Sequence, residues 1–517
     1  MIPTAPGSAP RPVGNRPLPL AELADLIGRP VGGSADGTAV RGVTLASAEV
    51  QPGDLYAALP GSKTHGVRYL PDAVERGAVA VLTDPTGQDE AVASGLPVCV
   101  VDRPRAVLGD IAARVYGDPG GRLTVVGITG TNGKTTTAYL VEAGFAAAGR
   151  ATGLIGTVQT RTRGRDGVPT TWPSARTTPE APVLHALLAT MEEAGVSAVV
   201  MEVSSHALVQ GRVGGLRFAV AGFTNLSQDH LDFHGSLEEY FQAKALLFDG
   251  RAAVEVVDVD DEHGRRLLKP GTVTVSSLGR EADWRATDVT PAGDGGSQFT
   301  LHGPGGRSWP ARLRLPGGFN VANAVLAVAL LDAVGVPVEA ALEGIAETVV
   351  PGRMEPVDAG QPFVAVVDYA HTPDAVRTAL DALRGATAGR LITVLGCGGD
   401  RDPGKRAAMG TAAALGSDVL VVTDDNPRSE DPAAIRAAML AGVPSAHRAE
   451  VLEVGDRRAA IAAAVGLARP GDTVLVAGKG HETGQEVAGV VTPFDDREVL
   501  RQVIGEALGT LAAGTTA

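Results

Sequence analysis

The amino-acid sequence reads as an α/β protein of three domains, two of them built on open, mostly parallel sheets. Three observations lead there. Short apolar runs rich in Val and Ala recur along the chain, separated by helix-length segments, which is the alternation that builds parallel sheets. The chain is 44% hydrophobic but only 4% aromatic, so Ala, Val and Leu fill its cores, as in strands buried on both faces. Its 517 residues include 67 glycines that mark turns, and roughly 100–200 residues per domain gives about three domains.

The first block, residues 1–121, opens with a Pro-rich arm (residues 1–17) that is expected to be disordered. Strand candidates follow at 79–82 and 98–101, with a turn at Gln51-Pro-Gly-Asp54. Gly117-Asp-Pro-Gly-Gly121 makes a linker, since Gly and Pro interrupt regular structure. The second block, 122–350, starts with an apolar run at 123–128, a glycine-rich turn and a helix expected over 134–148. Further strands are expected at 198–203 and 219–223. The third block, 351–517, carries strand candidates at 363–367, 391–395, 419–423 and 473–477. Its ligand crevice is expected at the C-terminal ends of those strands.

The formal net charge of −14 disfavours nucleic acid as a partner, because a phosphate backbone is bound by a basic face. Cys99 and Cys397 are too few and too far apart for a disulfide framework or a zinc pattern. Cys99, inside an apolar run, reads as a core residue. The N-terminus lacks the apolar stretch of a secretory signal. No run approaches the ~18 apolar residues of a membrane span. A cytoplasmic protein is expected.

The strongest local signal is Gly127-Ile-Thr-Gly-Thr-Asn-Gly-Lys-Thr-Thr-Thr137. A strand precedes it and a helix follows, so backbone N–H groups and the helix N-terminus would face phosphate oxygens. Lys134 would reach the terminal phosphates and Thr135 would offer its hydroxyl to Mg²⁺. The general pattern wants its first glycine at position 128, where this chain has Ile. A phosphate loop alone leaves kinases, ATPases and ligases open.

Further motifs narrow the choice: Met201-Glu-Val-Ser-Ser-His206, Asn225-Leu-Ser-Gln-Asp-His-Leu-Asp-Phe-His234, Gly318-Phe-Asn-Val-Ala-Asn323, Pro351-Gly-Arg-Met-Glu355 and Asp368-Tyr-Ala-His-Thr-Pro-Asp374. With the phosphate loop, and in this order, they resemble the Mur ligases of peptidoglycan synthesis. Gly396-Cys-Gly-Gly-Asp-Arg-Asp402, Asp425-Asn-Pro-Arg428 and Ala477-Gly-Lys-Gly-His-Glu482 are similar to the branch that adds diaminopimelate to UDP-MurNAc-L-Ala-D-Glu. Lysine-adding relatives usually lack the arginine at position 428.

The resemblance implies an ATP-dependent ligase acting through an acyl phosphate. Its fold would comprise a small N-terminal α/β domain binding the UDP moiety, a central P-loop ATPase-like domain and a C-terminal Rossmann-like domain. ATP would be held by Gly130, Thr131, Asn132, Gly133, Lys134, Thr135, Thr136, Asn323, Arg353, Asp368 and His371. The last three would come from the linker and third domain, which implies closure over ATP. Mg²⁺ would be held by Thr135, Glu202, His230 and a carbamylated Lys244, with Lys134, Glu202, His230 and Lys244 the catalytic set. The UDP-substrate would meet Leu45, Ser47, Ser62, Lys63, Thr64, Thr177, Thr178, Ser204, Gln210 and Arg212. Diaminopimelate would meet Arg401, Asp425, Asn426, Pro427, Arg428, Gly478 and Glu482. A monomer is implied, without nucleic acid or a membrane span.

Each residue also has a plainer reading. Glu202 can be a turn residue and His230 a structural histidine, with Asp229, Asp232 and His234 beside it bringing the metal reading level with the structural one. Ser236-Leu-Glu-Glu239 reads as a capping box, which places Lys244 one turn after Tyr240, near the apolar face. A default helix lysine there extends its ammonium to solvent. Gly396-Cys-Gly398 begins like a dinucleotide fingerprint, but Arg401 stands where that pattern needs a third glycine. A lysine-adding or folylpolyglutamate-type ligase remains a near alternative, and a P-loop regulatory protein a distant one.

Overall fold

The computed structural model describes residues 10–29, 31–33, 37–61, 63–164, 168–172, 174, 176–292 and 296–509. The chain divides into two compact units. One comprises Met1–Ser276, Ala282–Trp284 and Leu326–Gly344; the other comprises Ser277–Glu281, Arg285–Val325 and Ile345–Ala517.

In the first unit a four-stranded parallel sheet runs in the order Gly42–Thr44, Asp54–Ala57, Ala80–Thr83, Val98–Val100. Leu55, Ala57, Leu82 and Cys99 are buried on it, so Cys99 is the core residue expected. From Pro10 onward the N-terminal arm is placed rather than disordered. Arg11 pairs with the buried carboxylate of Asp54 at 2.6 Å, and the Val13 and Gly14 amides donate to Glu193. An anchored arginine of this kind restrains the arm in a way that Pro-rich composition does not reveal.

The larger sheet of this unit runs Pro169–Trp172, Thr160–Arg163, Thr152–Ile155, Ala198–Glu202, Thr124–Thr129, Phe218–Phe223, Ala252–Asp258, Val273–Ser276. The strands from Thr152–Ile155 onward are parallel. The helix Lys134–Ala147 lies buried on nearly every face. Gly127 lies inside Thr124–Thr129, and a β-carbon there would meet the Phe218 ring at 2.7 Å. This glycine serves packing, which explains its offset from the phosphate-loop pattern.

The second unit holds, from Arg285 onward, three antiparallel strands, Trp284–Pro291 (without its first residue), Ser297–His302 and Ser308–Leu313. It also holds a six-stranded sheet in the order Glu355–Pro356, Val364–Asp368, Thr473–Ala477, Leu391–Cys397, Val419–Asp424, Glu450–Glu453. All but the first of these strands are parallel. Apolar clusters cover both faces, one with Leu380, Leu395 and Met409, the other with Ile461, Val476 and Leu500. Helices on both faces of a parallel sheet make this the doubly wound fold expected. A fully buried Arg457–Asp496 pair at 2.7 Å ties it together, with Arg457 also donating to the Ala477 carbonyl. Among the described residues no helix is long and apolar enough to cross a membrane.

Candidate active site

The loop after Thr124–Thr129 turns on two glycines with positive φ, Gly130 (144°) and Gly133 (88°). A β-carbon at 130 would fall 1.8 Å from Thr224 Oγ1, so only glycine fits. The loop is laced to the segment after the neighbouring strand. The Thr131 amide donates to the Asn225 carbonyl at 2.8 Å, and the Asn132 amide to Asn225 Oδ1 at 3.0 Å. Thr224 Oγ1 donates to the Asn132 carbonyl at 2.6 Å. Lys134 Nζ lies back on the loop, donating to the carbonyls of Gly130 (2.9 Å) and Thr131 (2.8 Å). Thr135 and Thr136 are buried in the first turn of the helix.

Glu202 ends the adjacent strand and is 2% exposed. Its Oε2 accepts from Thr135 Oγ1 (2.9 Å) and Thr157 Oγ1 (3.1 Å), and its Oε1 from the Thr157 amide (2.8 Å). A buried carboxylate and the P-loop hydroxyl therefore share one point. Thr157 was not foreseen; a neutral threonine after a short strand carries no signal of its own in sequence.

Lys244 is 1% exposed, not solvated as a default helix lysine would be. Its Nζ donates to the Gly130 carbonyl at 2.6 Å and stands 4.4 Å from the centroid of the Tyr240 ring. Burial, together with the nearby charge of Lys134, pushes its pKa well below the usual lysine range. Its helix opens as read, with Ser236 Oγ accepting from the Glu239 amide.

The histidine-rich segment is arranged differently from the cluster read in the sequence. His230 adopts a left-handed conformation (φ 52°) just before the helix Leu231–His234, and its carbonyl accepts from the His234 amide at 3.1 Å. Its half-exposed ring lies 3.5 Å from Asp229 Oδ2. His234 is buried and bonded to Ser205 Oγ at 2.9 Å. Among the described residues no group of three or more His, Cys, Asp or Glu is gathered to hold a metal.

Thr177, Thr178, Ser204, Gln210 and Arg212 gather beside Glu202. Thr178 Oγ1 donates to the Glu202 carbonyl (2.9 Å) and accepts from the Ser204 amide (3.0 Å). Thr177 Oγ1 meets Thr157 Oγ1 at 3.0 Å. The Arg212 guanidinium is already engaged by the Thr178 carbonyl, Gln210 Oε1 and Glu180. Leu45, Ser47, Lys63 and Thr64 lie around the four-stranded sheet, Leu45 packed against its core and Lys63 exposed. Ser62 lies outside the described residues.

In the second unit the loops at the strand C-termini converge. Asp368 accepts from the Met354 and Ala370 amides (2.7 and 2.8 Å), and burial raises its pKa. Arg353 stacks 4.4 Å from the Tyr369 ring centroid, and its buried Nε has no hydrogen-bond partner among the described residues. His371 Nδ1 bonds the Tyr369 carbonyl, and Asn323 is buried against Asn320. Asn426 Nδ2 donates to Glu482 Oε2 at 2.8 Å. Arg428, at φ 53°, reaches the Gly399 carbonyl at 2.7 Å and Glu486 at 3.4 Å. Asp425 is buried and would meet a β-carbon at Gly478 at 2.6 Å. Arg401 is exposed nearby. Gly399 donates its amide to the Asn426 carbonyl, and the next helix starts only at Lys405. The segment therefore offers no dinucleotide turn.

Sequence-family models match three consecutive stretches: the Mur ligase family catalytic domain over residues 39–116, the Mur ligase middle domain over 128–331, and the Mur ligase glutamate ligase domain over 352–480. The chain is 55% identical to the UDP-N-acetylmuramoyl-L-alanyl-D-glutamate–2,6-diaminopimelate ligase of Streptomyces coelicolor, covering 98% of this chain and all of that one. The chain belongs to the Mur ligase family. This Mur ligase is also 55% identical to the protein of the same name from Streptomyces avermitilis, again over 98% of its length and all of the relative. A solved structure titled as a UDP-N-acetylmuramoyl-L-alanyl-D-glutamate–2,6-diaminopimelate ligase superposes with a TM-score of 0.68 at 32% identity, covering 94% of this chain and 99% of that one. As a Mur ligase it is an ATP-dependent ligase, with the three-domain α/β organisation of the family.

Proposed function

We propose that this Mur ligase joins diaminopimelate to the D-glutamate carboxylate of UDP-MurNAc-L-Ala-D-Glu in the cytoplasm, as a step of peptidoglycan synthesis. A carboxylate is a poor electrophile. Its oxygen therefore attacks the γ-phosphorus of ATP, ADP departs, and the acyl phosphate carries a good leaving group. The amine then attacks the acyl carbon, a tetrahedral intermediate forms, and phosphate leaves. Positioning and charge neutralisation supply most of the acceleration.

In the first unit, the Gly130–Thr136 loop would cradle the phosphates, with Lys134 released from its own carbonyls to meet them. Thr135 and Glu202 are oxygen donors already in contact, a set that fits Mg²⁺. His230 and Lys244 as a carbamate would hold a second ion; a buried amine with a lowered pKa is in the neutral form that adds CO₂. Bound Mg²⁺ would spread the charge developing on the transferred phosphoryl group. Thr177, Thr178, Ser204, Gln210 and Arg212 would orient the dipeptide, and Leu45, Ser47, Lys63 and Thr64 the uridine end. In the second unit, Asn323, Arg353, Asp368 and His371 would hold ATP, the Arg353 Nε, without a partner among the described residues, being a donor for an anion.

One observation carries the choice of amino acid. Arg428 and Glu482 are held in one loop set, joined through Asn426 and Glu486. A guanidinium and a carboxylate so placed complement a substrate tail bearing both a carboxylate and an ammonium; Asp425, Asn426, Arg401 and Gly478 would complete the pocket. The names of the Streptomyces relatives support the same choice. Converting Arg428 to Ala should raise the KM for diaminopimelate about 10–100-fold, the loss of one charged hydrogen-bonded contact. Steady-state kinetics with diaminopimelate and lysine side by side test this; an unchanged KM, or lysine used as well as diaminopimelate, would overturn the assignment.

A further inference from the structure

Lys479 lies in the middle of Ala477-Gly-Lys-Gly-His-Glu482 and has no role in the reaction described above. It follows the strand Thr473–Ala477, between Gly478 (φ 113°) and Gly480 (φ 54°). Its side chain is fully buried. An ammonium taken wholly out of water must be compensated by specific partners, and those partners are two residues assigned to the amino-acid pocket. Lys479 Nζ donates to Asn426 Oδ1 at 3.0 Å and lies 3.4 Å from Glu482 Oε2.

The consequence is geometric. Asn426 Oδ1 also accepts from the Glu486 amide at 3.0 Å. With two donors on its oxygen, the Asn426 amide has one orientation that satisfies the network. That orientation aims Nδ2 at Glu482 Oε2, 2.8 Å away. Glu482 Oε2 is thus held by Asn426 and faced by Lys479, whereas Oε1 has no assigned partner among the described residues. We propose that Lys479 is the positioning residue of the amino-acid pocket, fixing Asn426 and one oxygen of Glu482 so that the other oxygen meets the distal ammonium of the incoming amino acid. The proposal rests on the reading of Glu482 and Asn426 as diaminopimelate contacts.

Without Lys479, Asn426 keeps only the Glu486 amide on its oxygen and Glu482 loses its buried counter-charge. Both groups gain rotamers, and binding must then order them. Lys479→Met keeps the volume and removes the charge; Lys479→Gln keeps one donor. Lys479→Met should raise the KM for diaminopimelate at least tenfold, with KM for ATP and for the UDP-dipeptide within twofold of the parent and kcat within threefold. Lys479→Gln should fall between the two. Because Lys479 acts through Asn426, Asn426→Ala should cost little more KM in the Lys479→Met background, whereas independent roles would multiply.

Steady-state kinetics of the full chain, with melting curves for every variant, read these outcomes. Equal rises in all three KM values, multiplying losses in the double variant, or loss of cooperative melting in both Lys479 variants would each overturn the proposal, the last by making Lys479 a folding residue. Failure of the parent enzyme to couple diaminopimelate at all would instead refute the underlying assignment of the pocket, and the two failures are read separately in the same assay.

Discussion

Glu202 is held at both oxygens by the chain itself, by Thr135, by the Thr157 hydroxyl and by the Thr157 amide. Such preorganisation fixes a negative charge beside the phosphate loop without reorganisation during the reaction. Glu202→Gln keeps the shape and removes the charge, so kcat should fall about 10²–10³-fold while the melting temperature changes little; a rate within threefold of the parent would count against the carboxylate. At His481, burial foremost, then the charges of Arg353, Arg497 and His371, push the pKa down to about 4, with Asp495 opposing. The folded state therefore binds fewer protons there than the unfolded state. This part of the stability is fully present above the ordinary value of 6.5 and is lost as pH falls through about 4. By linkage the loss is about 2 kcal/mol between pH 7 and pH 5. Denaturation of His481→Asn should show a pH dependence flatter by that amount; equal slopes would contradict it. Residues such as Thr135 and Asn426 could be named from motif order. Thr157 could not, because its importance lies in what it touches rather than in a side chain distinctive in sequence; Tyr240 and Lys479 lie in stretches read there, but their roles follow only from their contacts.

Among the elements, the phosphate loop shows why sequence pattern and structure agree in substance and differ in register. The apolar run read at 123–128 forms Thr124–Thr129, and the helix read over 134–148 ends at Ala147. Runs of Val, Leu and Ile buried on both faces announce themselves, and the strand Thr473–Ala477 falls on the residues read. Strands with polar alternation do not. Thr160–Arg163, Pro169–Trp172 and Ser308–Leu313 lie in antiparallel pairings, the first alternating buried and half-buried residues and the other two carrying exposed ones, and nothing in their composition separates them from loop. The two loop glycines make a sharp prediction. Gly130→Ala combines a positive φ with a β-carbon 1.8 Å from Thr224 Oγ1, so strain of about 1–3 kcal/mol must move the loop off Thr224. Titration with ATP should show at least tenfold weaker binding; parent-like affinity would mean that the loop does not hold the nucleotide in this form.

For the whole molecule, the three domains were legible from turn clusters and strand alternation. The three family models match residues 39–116, 128–331 and 352–480. The division into two compact units was not legible. It gathers Leu326–Gly344 with the N-terminal part of the chain, through contacts such as Arg150 with the Val334 carbonyl that span many residues. The central claim is that ATP energy passes through an acyl phosphate made on the substrate carboxylate. Isotope transfer tests it most directly. When the reacting carboxylate of UDP-MurNAc-L-Ala-D-Glu carries ¹⁸O and the enzyme turns over with ATP, Mg²⁺ and diaminopimelate, mass spectrometry should find one labelled oxygen in each phosphate released, with one ADP per coupled product. Phosphate free of label, or ADP formed without coupled product, would contradict it.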